Sequence, residues 1–291
     1  MQKEQTILET RNEVLNTIES TKSNMEKLSN ESASPSFILN IKSYFTNGLL
    51  SITNSVNNFF KTYTVTDKYF KDNVNNLNSK NKIITSISGM KYSEIDNLES
   101  YVVIGMKMDY LSTVKELKQF IPFIKTLKGD IDKVSTFIEN MINNHNDIRM
   151  SNIRYVDNDN LYFINNKTTA IINEVVDGKI INELRPIKNI MPNILSFKIV
   201  KDEFVYINSE LEKSDIENIK KSIDRLITAT NLWLKTCNEN NEMYSKYSVE
   251  QLQVSVELIA KIITNFGTFL VLSNQFTSYY LTMLDLINDK K

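Results

Sequence analysis

His145, the only histidine, stands in the polar run Asn143-Asn144-His145-Asn146-Asp147. A histidine general base or a zinc site needs partners at set spacings, such as a second His one helical turn away or a Cys pair, and the sequence supplies neither. His145 therefore reads as a surface or helix-capping residue. The run Asp157-Asn158-Asp159-Asn160 has the alternating oxygens that open a calcium loop. Leu161 then occupies the next ligand place, no glycine follows, and Thr168 stands where such a loop needs a bidentate acid, so the run reads as an Asx-rich turn. Cys237 is the single cysteine, which excludes an intramolecular disulfide and a thiolate metal cluster. It continues an apolar helical spacing and reads as a packing thiol rather than a nucleophile. With six glycines and one histidine, no phosphate loop, nucleophile elbow or histidine-based triad can be assembled. The acids are scattered along charged helix faces. The residue set predicts no catalytic group, no metal and no cofactor, and a protein that is not an enzyme.

The elements that carry these residues are mostly helical. From Ser248 to Ile287 apolar side chains recur at alternating steps of three and four: Val249, Leu252, Val256, Ile259, Ile263, Phe266 and Leu270, then Tyr280, Leu284 and Ile287, with Ser273 and Thr277 as polar members. A second apolar side, including Leu258, Ile262, Phe269, Leu272, Phe276 and Met283, predicts contact with neighbours on two faces. Ser248 and Gln251 have capping-box spacing at the start of this helix. Ile216, Ile219, Ile223, Leu226, Thr230, Trp233 and Cys237 form another seam. The first, with Trp233, supplies the candidate interface: Val249, Leu252, Val256, Ile259, Ile263, Phe266, Leu270 and Trp233. In the first half, helices are expected from about Gln2, from Pro35 and from Thr66 to Leu77. Another is expected from Asp109, kinked by Pro122 and ended by Gly129, with a further helix from Asp130. Ile83–Met90 reads as β-tolerant, and Tyr101–Met106 as a strand or extended run.

Residues 151–208 carry a β signal. Val175-Val176-Asp177-Gly178-Lys179-Ile180 places Asp-Gly between apolar arms, the sequence that favours a type I′ hairpin. A second hairpin would pair Phe197–Val200 with Phe204–Ile207. The fold class expected is mainly α: an elongated bundle of long helices with a small antiparallel β-hairpin module inserted in the second half. The corresponding division is an N-terminal helical half (1–150), a β-hairpin module (151–208) and a C-terminal long-helix hairpin (209–291) that packs back on the first half.

Charge and leader signals narrow the setting. The 34 basic and 35 acidic residues nearly cancel, so the global charge does not support a nucleic-acid partner. The polar start predicts no signal peptide, and the interrupted Ile262–Leu272 run predicts no membrane span.

The segment from Met90 to Leu111 contains Tyr92-Ser-Glu94, Tyr101-Val-Val103, Gly105 and Tyr110-Leu111. It resembles a segment of virion structural proteins of large tailed bacteriophages, in which a Tyr-Ser-Glu helix start leads to an extended run, a glycine and a Tyr-Leu helix. Ile104 departs from the proline expected before the glycine. The resemblance implies a non-enzymatic particle component, made in a bacterial cytoplasm and located in the virion. Its partners would be other virion proteins or copies of itself, in a homo-oligomer or larger assembly. Two alternatives are an α-helical pore-forming toxin-like protein, with the β module as its tongue, and a phage-encoded host-interaction protein.

Overall fold

The computed structural model describes residues 15–16, 54, 57, 71–91, 94, 101–104, 109–143, 158–175, 183–186, 191, 195–211, 213–240 and 246–289. Among these residues the elements are α1 (Asn81–Ser88), β1 (Tyr101–Ile104), α2 (Tyr110–Lys118), α3 (Ile121–Asn143), α4 (Asp159–Val175), β2 (Glu183–Pro186), α5 (Ser196–Glu210), α6 (Lys213–Asn240) and α7 (Lys246–Asp289). Residues 71–79 are also helical. The chain divides into two compact units. The first gathers 1–61, 124–167 and 214–267, and the second gathers 62–123, 168–213 and 268–291.

Among the described residues the expected β-hairpin module is not formed, which corrects the fold-class expectation while its helical part stands. Residues 159–175 and 196–210 are helices. Phe197–Val200 and Phe204–Ile207, read as two strand arms, lie on the single helix α5. The reason is the period of burial. Phe197, Val200, Phe204 and Ile207 are all buried and advance by three, four and three, the step of a helix rather than the alternation of a strand. The Asp177-Gly178 turn lies outside the described residues. Strand pairing occurs instead between distant segments: four-residue β1 runs antiparallel to four-residue β2, with Tyr101 opposite Pro186 and Ile104 opposite Glu183.

Three boundaries also differ from expectation. Ile83 to Ser88 belong to α1, which buries Ile84 and Ile87. Pro122 sits in the first turn of α3, where a missing N–H costs no helical hydrogen bond, so it helps start a helix instead of kinking one. Gly129 lies inside the 23-residue α3 and does not end it. The break comes earlier, at residues 119–120 between α2 and α3.

In the first unit, α7 buries Leu252, Val256, Ile259, Ile263 and Phe266. The same unit holds the buried seam of α6, with Ile216, Ile219, Ile223, Leu226 and Trp233, and that of α3, with Leu127, Ile131, Val134, Ile138 and Met141. In the second unit, α5 packs on α1 and α2. There the C-terminal part of α7 meets an aromatic group: Tyr110 lies edge-on to Phe276 at 5.8 Å and to Tyr280 at 6.0 Å, and Phe204 lies 5.9 Å from Tyr280. Phe120 stacks on Phe269 at 4.8 Å. Such pairs contribute about 0.5–1.5 kcal/mol beyond the area they bury.

The helical reading of α5 separates two residues that a strand would put on one face. Phe204→Ala, which removes a fully buried ring, is expected to cost about 3–5 kcal/mol. Tyr206→Ala, at a position 38% exposed whose ring carries one contact with a lysine ammonium, is expected to cost about 1 kcal/mol or less. Urea denaturation of both variants measures this; equal losses would contradict the helix.

Candidate interaction site

The sequence-predicted interface residues are core residues. Leu252, Val256, Ile259, Ile263, Phe266, Leu270 and Trp233 are each no more than 3% exposed within the chain itself. Their side chains are therefore not on the surface that a second copy would meet. Val249 lies on α7, but its side chain is outside the described residues. The candidate membrane-crossing helix, Val254–Asp289, meets the criteria of length and composition, yet 83% of its most apolar window is buried inside the chain, as in a core helix.

His145, Asp157 and the Cys237 side chain also lie outside the described residues. The remainder of the Asx run starts α4. The Asn158 carbonyl accepts the Tyr162 N–H at 2.8 Å, the first bond of the helix, and Asp159 places a negative charge in the first turn. Asn158 is buried, and its Oδ1 accepts from Ser255 Oγ at 2.6 Å, while Asn160 Nδ2 donates to Asp130 Oδ2 at 2.7 Å. These oxygens tie helices together. Among the described residues no three His, Cys, Asp or Glu side chains are grouped to hold a metal ion.

A charge constellation that sequence reasoning passed over joins α3 to α6 in the first unit. Arg225 donates through Nε to Glu139 Oε1 at 2.9 Å and through Nη2 to Glu139 Oε2 at 2.6 Å, a two-point grip that lysine cannot reproduce. The same Nη2 reaches Thr136 Oγ1 at 3.1 Å, and Nη1 lies 3.8 Å from Asp132. Lys128 pairs with Asp132 at 2.5 Å. Positions 132, 136 and 139 advance by four and three, so one stripe of α3 faces one guanidinium. Burial pushes the Asp132 carboxyl up, but hydrogen bonds from Lys128 and Ser222 and the charges of Lys128 and Arg225 outweigh it and hold the group below its ordinary value. The hydrogen bonds to Glu139 raise the Arg225 guanidinium further. A carboxylate kept ionised this way is a poor proton donor near neutral pH and a good fastener. The cue was in the sequence, as polar spacing along α3, but its partner is remote in the chain.

In the second unit the polar ties include phenols, amides and ion pairs. The Tyr280 hydroxyl donates to the Phe197 carbonyl at 2.5 Å, which anchors α5 to α7. Burial raises the pKa of Tyr280 strongly, with Asp202 adding to it, and burial raises Tyr110 as well, followed by Tyr279 and Tyr280. Both phenols therefore remain neutral. Asn73 Nδ2 donates to Asn274 Oδ1 at 3.4 Å, and Lys80 pairs with Asp285.

The surface supplies a different set. Among the described residues the exposed large apolar ones are Tyr162, Phe163, Leu195, Ile199, Tyr206 and Leu232. Leu195, Ile199 and Tyr206 belong to α5 or its N-cap. Lys118 pairs with Glu203 at 2.7 Å and lies 4.6 Å from the centre of the Tyr206 ring, so the tyrosine is held by a cation on its face. The hydrogen bond to Glu203 raises the Lys118 ammonium above its ordinary pKa. The sequence does not show this stripe because Ile199 and Tyr206 fall in the two expected strand arms.

The lowered Asp132 pKa carries a pH signature. Its stabilising contribution is complete above the ordinary carboxylate value of 3.8 and is lost as pH falls from there through the depressed value. Asp132→Asn is expected to be less stable than the parent at about pH 7, with the difference shrinking toward about pH 2. Urea midpoints across that range measure it, and a pH-independent difference would rule out the ion-pair account. The sequence matches no protein-family model, and neither a curated protein nor a solved structure is similar to it.

Proposed function

We propose that this chain is a non-enzymatic structural or assembly protein of a phage-like particle, acting through helix packing and association with copies of itself or with other particle components. The observation that carries the reading is the segment from Met90 to Leu111, with its resemblance to virion structural proteins. Its Tyr101–Ile104 run is extended and its Tyr110-Leu111 pair opens α2, which agrees with two pieces of the resemblance, while Tyr92, Ser93 and Gly105 lie outside the described residues. Asp109 caps that helix by accepting the Ser112 N–H at 2.9 Å, and Lys115 and Lys118 oppose the dipole at its far end. Further support is the use of the polar groups. The ion pairs of α3 with α6 and the phenol bond of α7 to α5 join helix to helix, which is the chemistry of a scaffold.

The proposal locates the chain in the virion after synthesis in a bacterial cytoplasm. The pore-forming alternative requires a β tongue, and residues 196–210, which would have supplied half of it, are the packed helix α5. A host-interaction role differs in where the protein accumulates. Quantitative mass spectrometry of purified particles of the encoding phage, compared with infected-cell lysate, is expected to find peptides of this chain at fixed ratio to the major particle proteins. Peptides confined to the lysate would refute the particle role.

A further inference from the structure

Several buried hydroxyls of this chain close on their own helix. Ser135 donates to the Ile131 carbonyl at 3.0 Å, Thr230 to the Leu226 carbonyl at 2.8 Å and Thr277 to the Ser273 carbonyl at 2.8 Å. Three hydroxyls in the second unit do not. Thr113 and Ser273 are fully buried and Tyr110 is 1% exposed, yet no side-chain oxygen of the three has a hydrogen-bond partner among the described residues. A buried hydroxyl left unpaired costs the fold more than a made bond returns, so three in one unit call for a partner from outside the polypeptide.

Ring contacts fix where the three stand. Tyr110 of α2 meets Phe276 and Tyr280 of α7, while Phe120, just past the end of α2, stacks on Phe269. Residue numbers rise along one segment as they fall along the other, so α2 and this part of α7 run antiparallel. Thr113 lies between the two contacts on one side of the seam, and Ser273 lies between them on the other. Tyr110 precedes Thr113 by three positions, about one helical turn, which sets the phenol and the threonine on the same face. The seam thus gathers all three hydroxyls in a stretch closed at both ends by buried aromatic rings.

The chemistry of the seam selects the ligand. Burial holds the Tyr110 phenol neutral, Thr113 and Ser273 carry no charge, and the described residues hold no group of three His, Cys, Asp or Glu for a metal ion. An ion would meet no counter-charge from these hydroxyls. Each hydroxyl both donates and accepts, so the ligand must do both in the space between two packed helices, and water is the molecule that does. We propose that the α2–α7 seam of the second unit is an internal water site, in which Tyr110, Thr113 and Ser273 bind ordered water that bridges the two helices. The water does there what a direct bond does between Tyr280 and Phe197: it ties α7 to a neighbouring helix at one register. The inference is independent of the particle role.

Tyr110→Phe, Thr113→Val and Ser273→Ala each remove one hydroxyl and nearly keep the shape of the side chain. In the full chain each is expected to lower the urea midpoint, because a water-bonded hydroxyl is lost. Thr113→Val combined with Ser273→Ala is expected to lower it by less than the two single shifts together, because the same bridge is broken twice. Oxygen-17 relaxation dispersion of the solvent counts long-lived internal waters without reference to stability. The parent chain is expected to hold at least one more than the Thr113→Val, Ser273→Ala double variant, with far-ultraviolet circular dichroism unchanged. A rise in midpoint on any of the three exchanges, strictly additive shifts, or equal water counts in parent and double variant would each overturn the inference.

Discussion

The stretch of α7 from residue 262 to 274 is buried on every side. A helix with no solvated face cannot exist unless apolar surface covers it all round, and this demand explains the composition of the other helices. Each fully buried Ile, Leu or Phe contributes about 1.5–3 kcal/mol on removal from water, and among the described residues α7 buries more apolar side chains than any other helix. Two of its buried threonines are admitted because they bond to their own helix. Thr264 Oγ1 donates to the Lys261 carbonyl at 2.7 Å and Thr277 Oγ1 to the Ser273 carbonyl at 2.8 Å. A threonine that satisfies its hydroxyl within one turn presents its methyl to the neighbours.

Apolar ridges do not by themselves fix how far one helix slides along another, and the polar ties supply that information. In the first unit Arg225 grips Glu139, and Ser255 meets Asn158. In the second, the Tyr280 hydroxyl reaches a specific carbonyl, that of Phe197. Each of the two buried bonds adds about 1 kcal/mol net, little beside the core, but the loss of a buried partner on a slip of register costs more than the bond is worth; the exposed Arg225–Glu139 pair adds about 1 kcal/mol or less. The fold thus separates its sources of stability from its sources of alignment.

Long periodic seams were legible in the sequence. α7 and α6 are helices where the three-and-four spacing placed them, although α7 begins at Lys246, before the Ser248 expected as its cap. Short apolar clusters were not legible. Phe197–Ile207 offers β-branched and aromatic residues in two groups, and strand propensity favoured a hairpin; only burial against α1 and α2 reveals the helical period. Pro122 and Gly129 misled for a related reason, since their effect depends on position within a helix whose start the sequence does not mark. The candidate sites divide in the same way. Burial of Trp233 and the α7 seam followed from spacing, but spacing does not say whether the covering surface belongs to the same chain. The Arg225 set and the α5 stripe required knowledge of which segments meet.

The position of Trp233 has a practical consequence. It is the only indole in the chain, it is 1% exposed, and it belongs to the first unit, while the buried phenols Tyr110 and Tyr280 belong to the second. Red-edge excitation therefore illuminates one half of the molecule alone. Tryptophan emission, which reports the first unit, followed through a denaturation ramp beside far-ultraviolet circular dichroism, which reports the helices of both, shows whether the two halves melt as one cooperative body or in sequence.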